Sequence, residues 1–226
     1  LKETYQPDHL WFADDIFALS PEWISEFADE IDNLGAQIPF KIQSRCDLIT
    51  QETAAALQRG GCVEVWLGAE SGSQRILDAM EKSISLHQIS AARKLLKRHG
   101  IRACFFLQFG YPDETWEDIQ STIHLVRETV PDDLGISLSY PLPKTRFYER
   151  VAPDMTPNCN WLDSGDLSVM FRARYRSEFY AALHNALHLE VEMLNGRADR
   201  SLDRRRLHEL WAQVQQELVS TSGNFH

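Results

Sequence analysis

The chain has 226 residues, 43% of them hydrophobic and 25% charged, with a formal net charge of −10. That is the composition of a globular protein with room for one large domain, or a domain and an appendage. No apolar run approaches the roughly 18 residues of a bilayer span, and the acidic balance disfavours a nucleic-acid partner without excluding a local basic groove.

Apolar β-rich runs alternate with amphipathic helical ones along the first 140 residues. Residues 9–13 (HLWFA) read as a short strand. A helix over 20–34 follows, with Trp23, Ile24, Phe27, Ile31 and Leu34 on one face, Ser20 as cap and Pro21 in the first turn. Residues 40–44 (FKIQS) form the second strand, and a helix over 50–59 ends at Gly60-Gly61. The third strand covers 63–68, with a short helix at 73–80 and a longer one at 85–99, opened by a Ser85/Gln88 capping box and stopped by Gly100. Residues 103–109 (ACFFLQF) are the fourth strand, 115–130 a helix with Trp116, Ile119, Ile123, Val126 and Val130 inward, and 135–140 (GISLSY) the fifth strand. After Pro143 the alternation stops. A loop over 153–166 precedes a long helix predicted over 167–194 and a last helix over 202–219, whose Arg204-Arg205-Arg206 run reads as a solvated face.

Five βα units of this spacing predict a parallel sheet with right-handed crossovers. No G-x-G-x-x-G follows the first strand, which favours a curved, barrel-like sheet over a doubly wound one. The cysteines, Cys46, Cys62, Cys104 and Cys159, show no C-x-x-C spacing and read as reduced thiols of a cytoplasmic protein, three of them in or beside apolar strands, with no metal site. Residues Leu1-Lys2-Glu3-Thr4 carry no signal-peptide pattern.

In parallel α/β folds ligands gather at the carboxyl ends of the strands. Those ends here are Asp14-Asp15, Ser44-Arg45, Glu70-Ser71-Gly72-Ser73, Gly110-Tyr111-Pro112-Asp113-Glu114-Thr115 and Tyr140-Pro141-Leu142-Pro143. Capping and turn chemistry accounts for many of them, including Ser71–Ser73 and Asp113–Thr115. It accounts less well for Arg45 and Glu70, each a charge directly after an apolar strand, which must pair with one another or meet a ligand.

The strings HLWFADDIF, FKIQSRCDLI, VWLGAESGSQRIL, FFLQFGYPDETWEDI and ISLSYPLPKTRFYERV, in this order, resemble the catalytic core of radical S-adenosylmethionine (SAM) enzymes. The subgroup they resemble is the cobalamin-binding one related to the anaerobic magnesium-protoporphyrin monomethyl ester cyclase. The resemblance covers residues 8–151 and implies a partial (β/α)6 TIM-like barrel, with residues 152–226 as a C-terminal helical extension. It also implies a 4Fe-4S cluster held by a C-x-x-x-C-x-x-C loop, and SAM chelated to that cluster and cleaved reductively to start radical chemistry, either methyl transfer or ring and C–C bond formation. Cobalamin on an upstream domain, an electron donor such as flavodoxin or ferredoxin, and a small-molecule substrate complete the set. No catalytic residue is assigned.

By the same resemblance, Asp14 and Asp15 stand at the SAM amino group and Arg45 at its carboxylate. Glu70 stands at the ribose hydroxyls with support from Ser71 and Ser73. Phe109, Gly110 and Tyr111 line the adenine, and Tyr140 faces the adenosyl group or the substrate. The cluster loop is absent from these 226 residues, as is the strand that carries it. The chain is therefore expected to be an inactive fragment of a longer enzyme. Asp113 and Lys144 replace glycines common at those turns, so the turn at Lys144 is expected to differ. Two other readings are a barrel-type hydrolase or lyase working through Asp14, Asp15 and Glu70, and a non-catalytic binding protein on the same fold.

Overall fold

The structure, a computed structural model, describes residues 2–156, 167–199 and 201–222. Its elements run α1 (Lys2–Tyr5), β1 (Leu10–Trp11), α2 (Pro21–Asn33), β2 (Phe40–Ser44), α3 (Gln51–Gly60), β3 (Cys62–Glu70), α4 (Gln74–Ala79), α5 (Leu86–Arg98), β4 (Arg102–Phe109), α6 (Trp116–Thr129), β5 (Leu134–Leu138), α7 (Arg146–Val151), α8 (Ser177–Leu194) and α9 (Leu202–Ser222). The strands form one sheet in the order β1-β2-β3-β4-β5. An order that never reverses belongs to a (β/α) barrel segment; a doubly wound sheet reverses at its switch point. Residues 1–70, 77–106 and 131–134 form one compact unit; residues 71–76, 107–130 and 135–226 form a second.

In the first unit the helix boundaries follow their caps. Ser20 accepts the Trp23 N–H and Pro21 opens α2; Thr50 accepts from Thr53 N–H and Gly61, at φ +93°, ends α3; Ser85 and Gln88 form the reciprocal box of α5. β2 runs parallel to β1 and β3, with Leu10 opposite Phe40 and Ile42 opposite Val65. The Ala103 carbonyl accepts from Asp132 N–H and the Phe105 N–H donates to Asp133, so β5 enters beside β4 in the same direction. Phe40 and Ile42 are fully buried, and Phe40 meets Phe12, Phe17 and Phe27 in an aromatic cluster over β2. β1 is shorter than the predicted 9–13. The Phe12 N–H still donates to Lys41, but Ala13 and the two aspartates beyond it are exposed and the chain bends away. β3 is longer than the predicted 63–68 and also takes in Cys62, Ala69 and Glu70.

In the second unit Ser139 N–H donates to the Phe109 carbonyl, continuing the β4–β5 pairing. α8 buries Phe179, Tyr180, Leu183, Ala186 and Leu187 and packs along α9. The helix predicted over 167–194 begins only at Ser177. Phe171 instead bridges Met155 in antiparallel fashion, with Thr156 N–H donating to Met170 and Arg172 N–H to Asp154. Met170 and Phe171 close with Val151 over a small core that Phe147 and Met155 flank. An apolar spacing of four between Leu167, Phe171 and Tyr175 thus serves an irregular segment as well as it would a helix. Part of the predicted 153–166 loop, residues 157–166, lies outside the described residues, as does Cys159. The Arg204–Arg206 run is exposed, as expected of a solvated face.

Candidate functional site

In the first unit, two of the expected site residues share one neighbour. Arg45, just past β2, grips Asp47 with Nε and Nη2 at 2.9 and 3.0 Å, and the same Nη2 donates to the Lys82 carbonyl at 3.1 Å. The Asp47 hydrogen bond raises the Arg45 pKa above its ordinary value, against a smaller effect of burial. Glu70 ends β3 at φ +59°, a left-handed conformation that costs a non-glycine residue about 1–2 kcal/mol. Its side chain is 15% exposed, and the carboxylate accepts from Lys82 Nζ at 2.8 Å. The side chain folds back over Gly68, where an added Cβ would stand 3.1 Å from Glu70 Oε1. Arg45 and Glu70 therefore do not pair with each other. Lys82 joins them, by its backbone to one and its ammonium to the other.

The segment carrying Lys82 is itself unusual, because Glu81 and Ser83 on either side have φ of +57° and +53°. Strain of that kind persists only where surrounding contacts over-determine it. Nothing in Met80–Ser83 advertises this: there is no glycine at the left-handed positions and no turn dipeptide, so sequence reasoning passed over Lys82. Asp14 and Asp15 are both exposed in the bend after β1.

The second unit holds the other half of the expected set. Ser71, expected to support the ribose contact, is fully buried, and its hydroxyl meets the Thr122 hydroxyl at 3.2 Å while accepting the Ser73 N–H. Gly72 N–H donates to Thr122 Oγ1 at 2.9 Å, and Ser73 Oγ donates to Asp118 at 2.6 Å. Asp118 also accepts from Arg75 and from the Thr115 N–H and hydroxyl. Burial opposes its charge, but these donors together hold the carboxyl well below the usual carboxylate range. Segment 71–76 is thus bolted to the first turn of α6, and Ser71 and Ser73 spend their hydroxyls on the bolt.

At the end of β4, Phe109 is buried and Gly110 turns at φ +74°. Glu114, read from sequence as part of a capping turn, is 1% exposed. It accepts the Gly110 N–H at 2.7 Å, and its own N–H donates to Tyr111. Burial pushes its carboxyl up to about 8, the Gly110 hydrogen bond drawing it down, Asp118 adding to the rise and Arg75 opposing it. Tyr111 stacks on Phe147 at 5.4 Å between centroids, and Arg150 reaches the Tyr111 hydroxyl and Asp113. Tyr140 is 48% exposed. The turn at Lys144, expected to differ from the glycine version, keeps the left-handed conformation at φ +70°, with Thr145 N–H and Oγ1 both donating to Leu142.

The thiols of Cys46, Cys62 and Cys104 are free and buried. Burial pushes Cys46 and Cys62 up to about 12 and Cys104 upward as well. Among the described residues no three His, Cys, Asp or Glu side chains converge as metal ligands. These residues therefore do not fit an iron–sulfur cluster. The acid–base reading through Asp14, Asp15 and Glu70 gains no support either, since Glu70 is committed to Lys82.

A profile of the radical SAM superfamily matches residues 6–126. An uncharacterized methyltransferase of Pyrococcus horikoshii is 32% identical over 162 residues, which cover 71% of this chain and 35% of that protein. The anaerobic magnesium-protoporphyrin IX monomethyl ester cyclase of Rubrivivax gelatinosus is 26% identical over 171 residues, covering 68% of this chain and 30% of the cyclase. The chain spans about a third of the length of these relatives. Among solved structures, the radical SAM methyltransferase TsrM of Kitasatospora setae, with cobalamin and a 4Fe-4S cluster bound, superposes at a TM-score of 0.60 with 20% identity, covering 67% of this chain and 32% of TsrM. The cobalamin-dependent radical enzyme OxsB, with aqua-cobalamin and SAM bound, gives 0.63 at 13% identity, covering 92% of this chain and 38% of OxsB. At those identities the likeness is one of fold, and it agrees with the partial barrel expected from the strand pattern.

Proposed function

The chain belongs to the radical SAM superfamily, and from that premise we propose that it is the SAM-binding part of an enzyme that transfers a methyl group or forms a ring or C–C bond on a small molecule. The observation that carries this is the pairing of Arg45 and Glu70 through Lys82 at the ends of β2 and β3. A planar guanidinium suits the two oxygens of the SAM carboxylate, and a carboxylate fixed by an ammonium keeps its other oxygen for a ribose hydroxyl. Arg45 Nη1 and Glu70 Oε2 make no hydrogen bond among the described residues, so each residue retains capacity for a ligand. Asp14 and Asp15 remain assigned to the SAM amino group; Phe109, Gly110 and Tyr111 to the adenine; and Tyr140 to the adenosyl group or substrate. Ser71 remains assigned to support of the ribose contact.

SAM supplies a methyl group or, once reduced, an adenosyl radical. No step is assigned to the iron–sulfur cluster, whose ligand set the described residues do not hold. Cobalamin belongs to this reading for the whole protein, with no residue of this chain assigned to it, and so does an electron donor. Residues 1–151 are the core in this reading and 152–226 its extension.

The test is calorimetric titration of the 226-residue chain with SAM. Saturable binding that weakens about tenfold or more in Arg45→Ala and in Glu70→Ala is expected, the loss of one charge-assisted hydrogen bond at roughly 1.5–3 kcal/mol. Wild-type affinity in both variants overturns the assignment.

A further inference from the structure

Glu114 presents an imbalance that capping does not explain. One oxygen accepts the Gly110 N–H; the other, Oε1, is buried and has no hydrogen-bond partner among the described residues. The residue closes a turn whose two ends, Gly110 and Asp113, sit at φ +74° and +65°. A Cβ placed on Gly110 would stand 3.4 Å from the Tyr180 hydroxyl, which is itself buried. The charged and titratable groups facing Glu114 are Arg75 of α4, Asp118 of α6, Tyr175 ahead of α8 and Tyr180 within it. Arg75 is spent on Asp118 and on the Asp113 carbonyl, so this cation does not pair with Glu114. A carboxylate in so dry a position, with one donor and an acidic neighbour, is held at a much higher cost than the protonated acid.

We propose that Glu114 is a positioning residue that holds the Gly110–Asp113 turn as an uncharged acid, and that loss of its proton opens the turn and weakens nucleoside binding at the end of β4. The last clause rests on the function proposed above; the protonation and its effect on the turn do not. The carboxyl, raised to about 8 by burial, is mostly protonated at pH 7 and mostly ionised at pH 9. Ionisation adds a buried charge that the single Gly110 N–H cannot satisfy, so water must enter.

The experiment compares wild type, Glu114→Gln and Glu114→Ala in the full chain. Wild type is expected to show an infrared carbonyl band of a protonated carboxylic acid at pH 7 that Glu114→Gln lacks. Hydrogen-exchange protection at the Gly110 amide is expected to fall about tenfold between pH 7 and pH 9 in wild type, following the protonated fraction, and to stay level in Glu114→Gln, whose amide oxygen accepts the same N–H without titrating. Glu114→Ala is expected to lack the protection at every pH; should it not fold, the Gln variant carries the comparison alone. SAM affinity is expected to fall along the same profile in wild type relative to Glu114→Gln, the difference removing the titration of the ligand's own amine. A pH-independent Gly110 amide in wild type, or absence of the carboxylic acid band at pH 7, overturns the proposal. A titrating turn with identical SAM profiles in wild type and Glu114→Gln overturns its link to binding, while the Arg45 and Glu70 variants judge the SAM site separately.

Discussion

Ser73 donates its hydroxyl to Asp118 at 2.6 Å, and the same carboxylate closes the capping box of α6 and accepts from Arg75. One buried side chain thus caps a helix and anchors the loop that follows β3. Removing it strands the Ser73 hydroxyl, the Thr115 N–H and part of the Arg75 guanidinium together. Asp118→Ala is expected to lower unfolding free energy by about 2–4 kcal/mol, above the usual loss for a lone cap. Asp118→Asn retains the acceptor but not the charge and is expected to cost less; chemical denaturation measures both.

Two buried carboxyls of this unit, Asp118 and Glu114, pull stability in opposite directions with pH. Asp118 is held below its unfolded value, so its contribution is complete above about pH 4 and drains away as pH falls further. Glu114 is held above its unfolded value, so its contribution is complete below about pH 4 and declines as pH rises from there to about 8. Thermal melts of wild type are expected to lose stability across pH 5–8 on the order of a few kcal/mol. Glu114→Gln is expected to flatten that decline and leave the acid limb in place.

Gly72 is a position where no side chain fits. A Cβ there would stand 2.3 Å from the Ser121 carbonyl oxygen, and a backbone atom cannot swing aside. Gly72→Ala is expected to destabilise by about 2 kcal/mol or more, since the loop must leave α6 and give up the Gly72–Thr122 hydrogen bond. Gly100→Ala serves as the contrast. Nothing lies within 4 Å of that Cβ, and only the strain of φ +70° opposes it, about 1 kcal/mol.

The strand order and most helix starts were legible because each rests on local chemistry that the sequence displays. Ser20 and Ser85 cap where the pattern placed them, and Thr50 and Thr115, read as the first residues of their helices, are the caps of those helices. What was not legible depends on partners far along the chain. Ser71 and Ser73 look alike as cap residues and as ligand hooks, and only Thr122 and Asp118, some 45–51 residues on, decide between the two. Glu114 read as part of a capping turn because the tyrosines whose ionisation it opposes, Tyr175 and Tyr180, lie some 61–66 residues further along the chain.

Lys144 tests the same limit at a turn. Its φ of +70° is one that lysine adopts only under strain, and the hydrogen bonds from Thr145 to Leu142 enforce it. Lys144→Gly is expected to stabilise the chain by about 1 kcal/mol, because glycine accepts that conformation without steric cost and the residue is exposed. A shift of the melting temperature upward by a few degrees is the expected reading.

Lys82 joins the two residues on which SAM binding is proposed to depend, and it does so by two different groups. Its carbonyl is backbone and survives mutation, so the Arg45 contact does not depend on the side chain, whereas the Glu70 contact does. Lys82→Ala is therefore expected to release the Glu70 carboxylate alone and weaken SAM binding by about three- to tenfold, less than Glu70→Ala, with little change in stability because the lysine side chain is 36% exposed. Lys82→Arg keeps the charge but broadens the donor, and it is expected to recover most of the affinity. A Lys82→Ala variant that binds SAM as wild type does would mean that Glu70 is oriented by its backbone strain and the fold over Gly68 alone. Combining Lys82→Ala with Glu70→Ala in a double-mutant cycle distinguishes the two, since coupled residues give a double variant no weaker than Glu70→Ala.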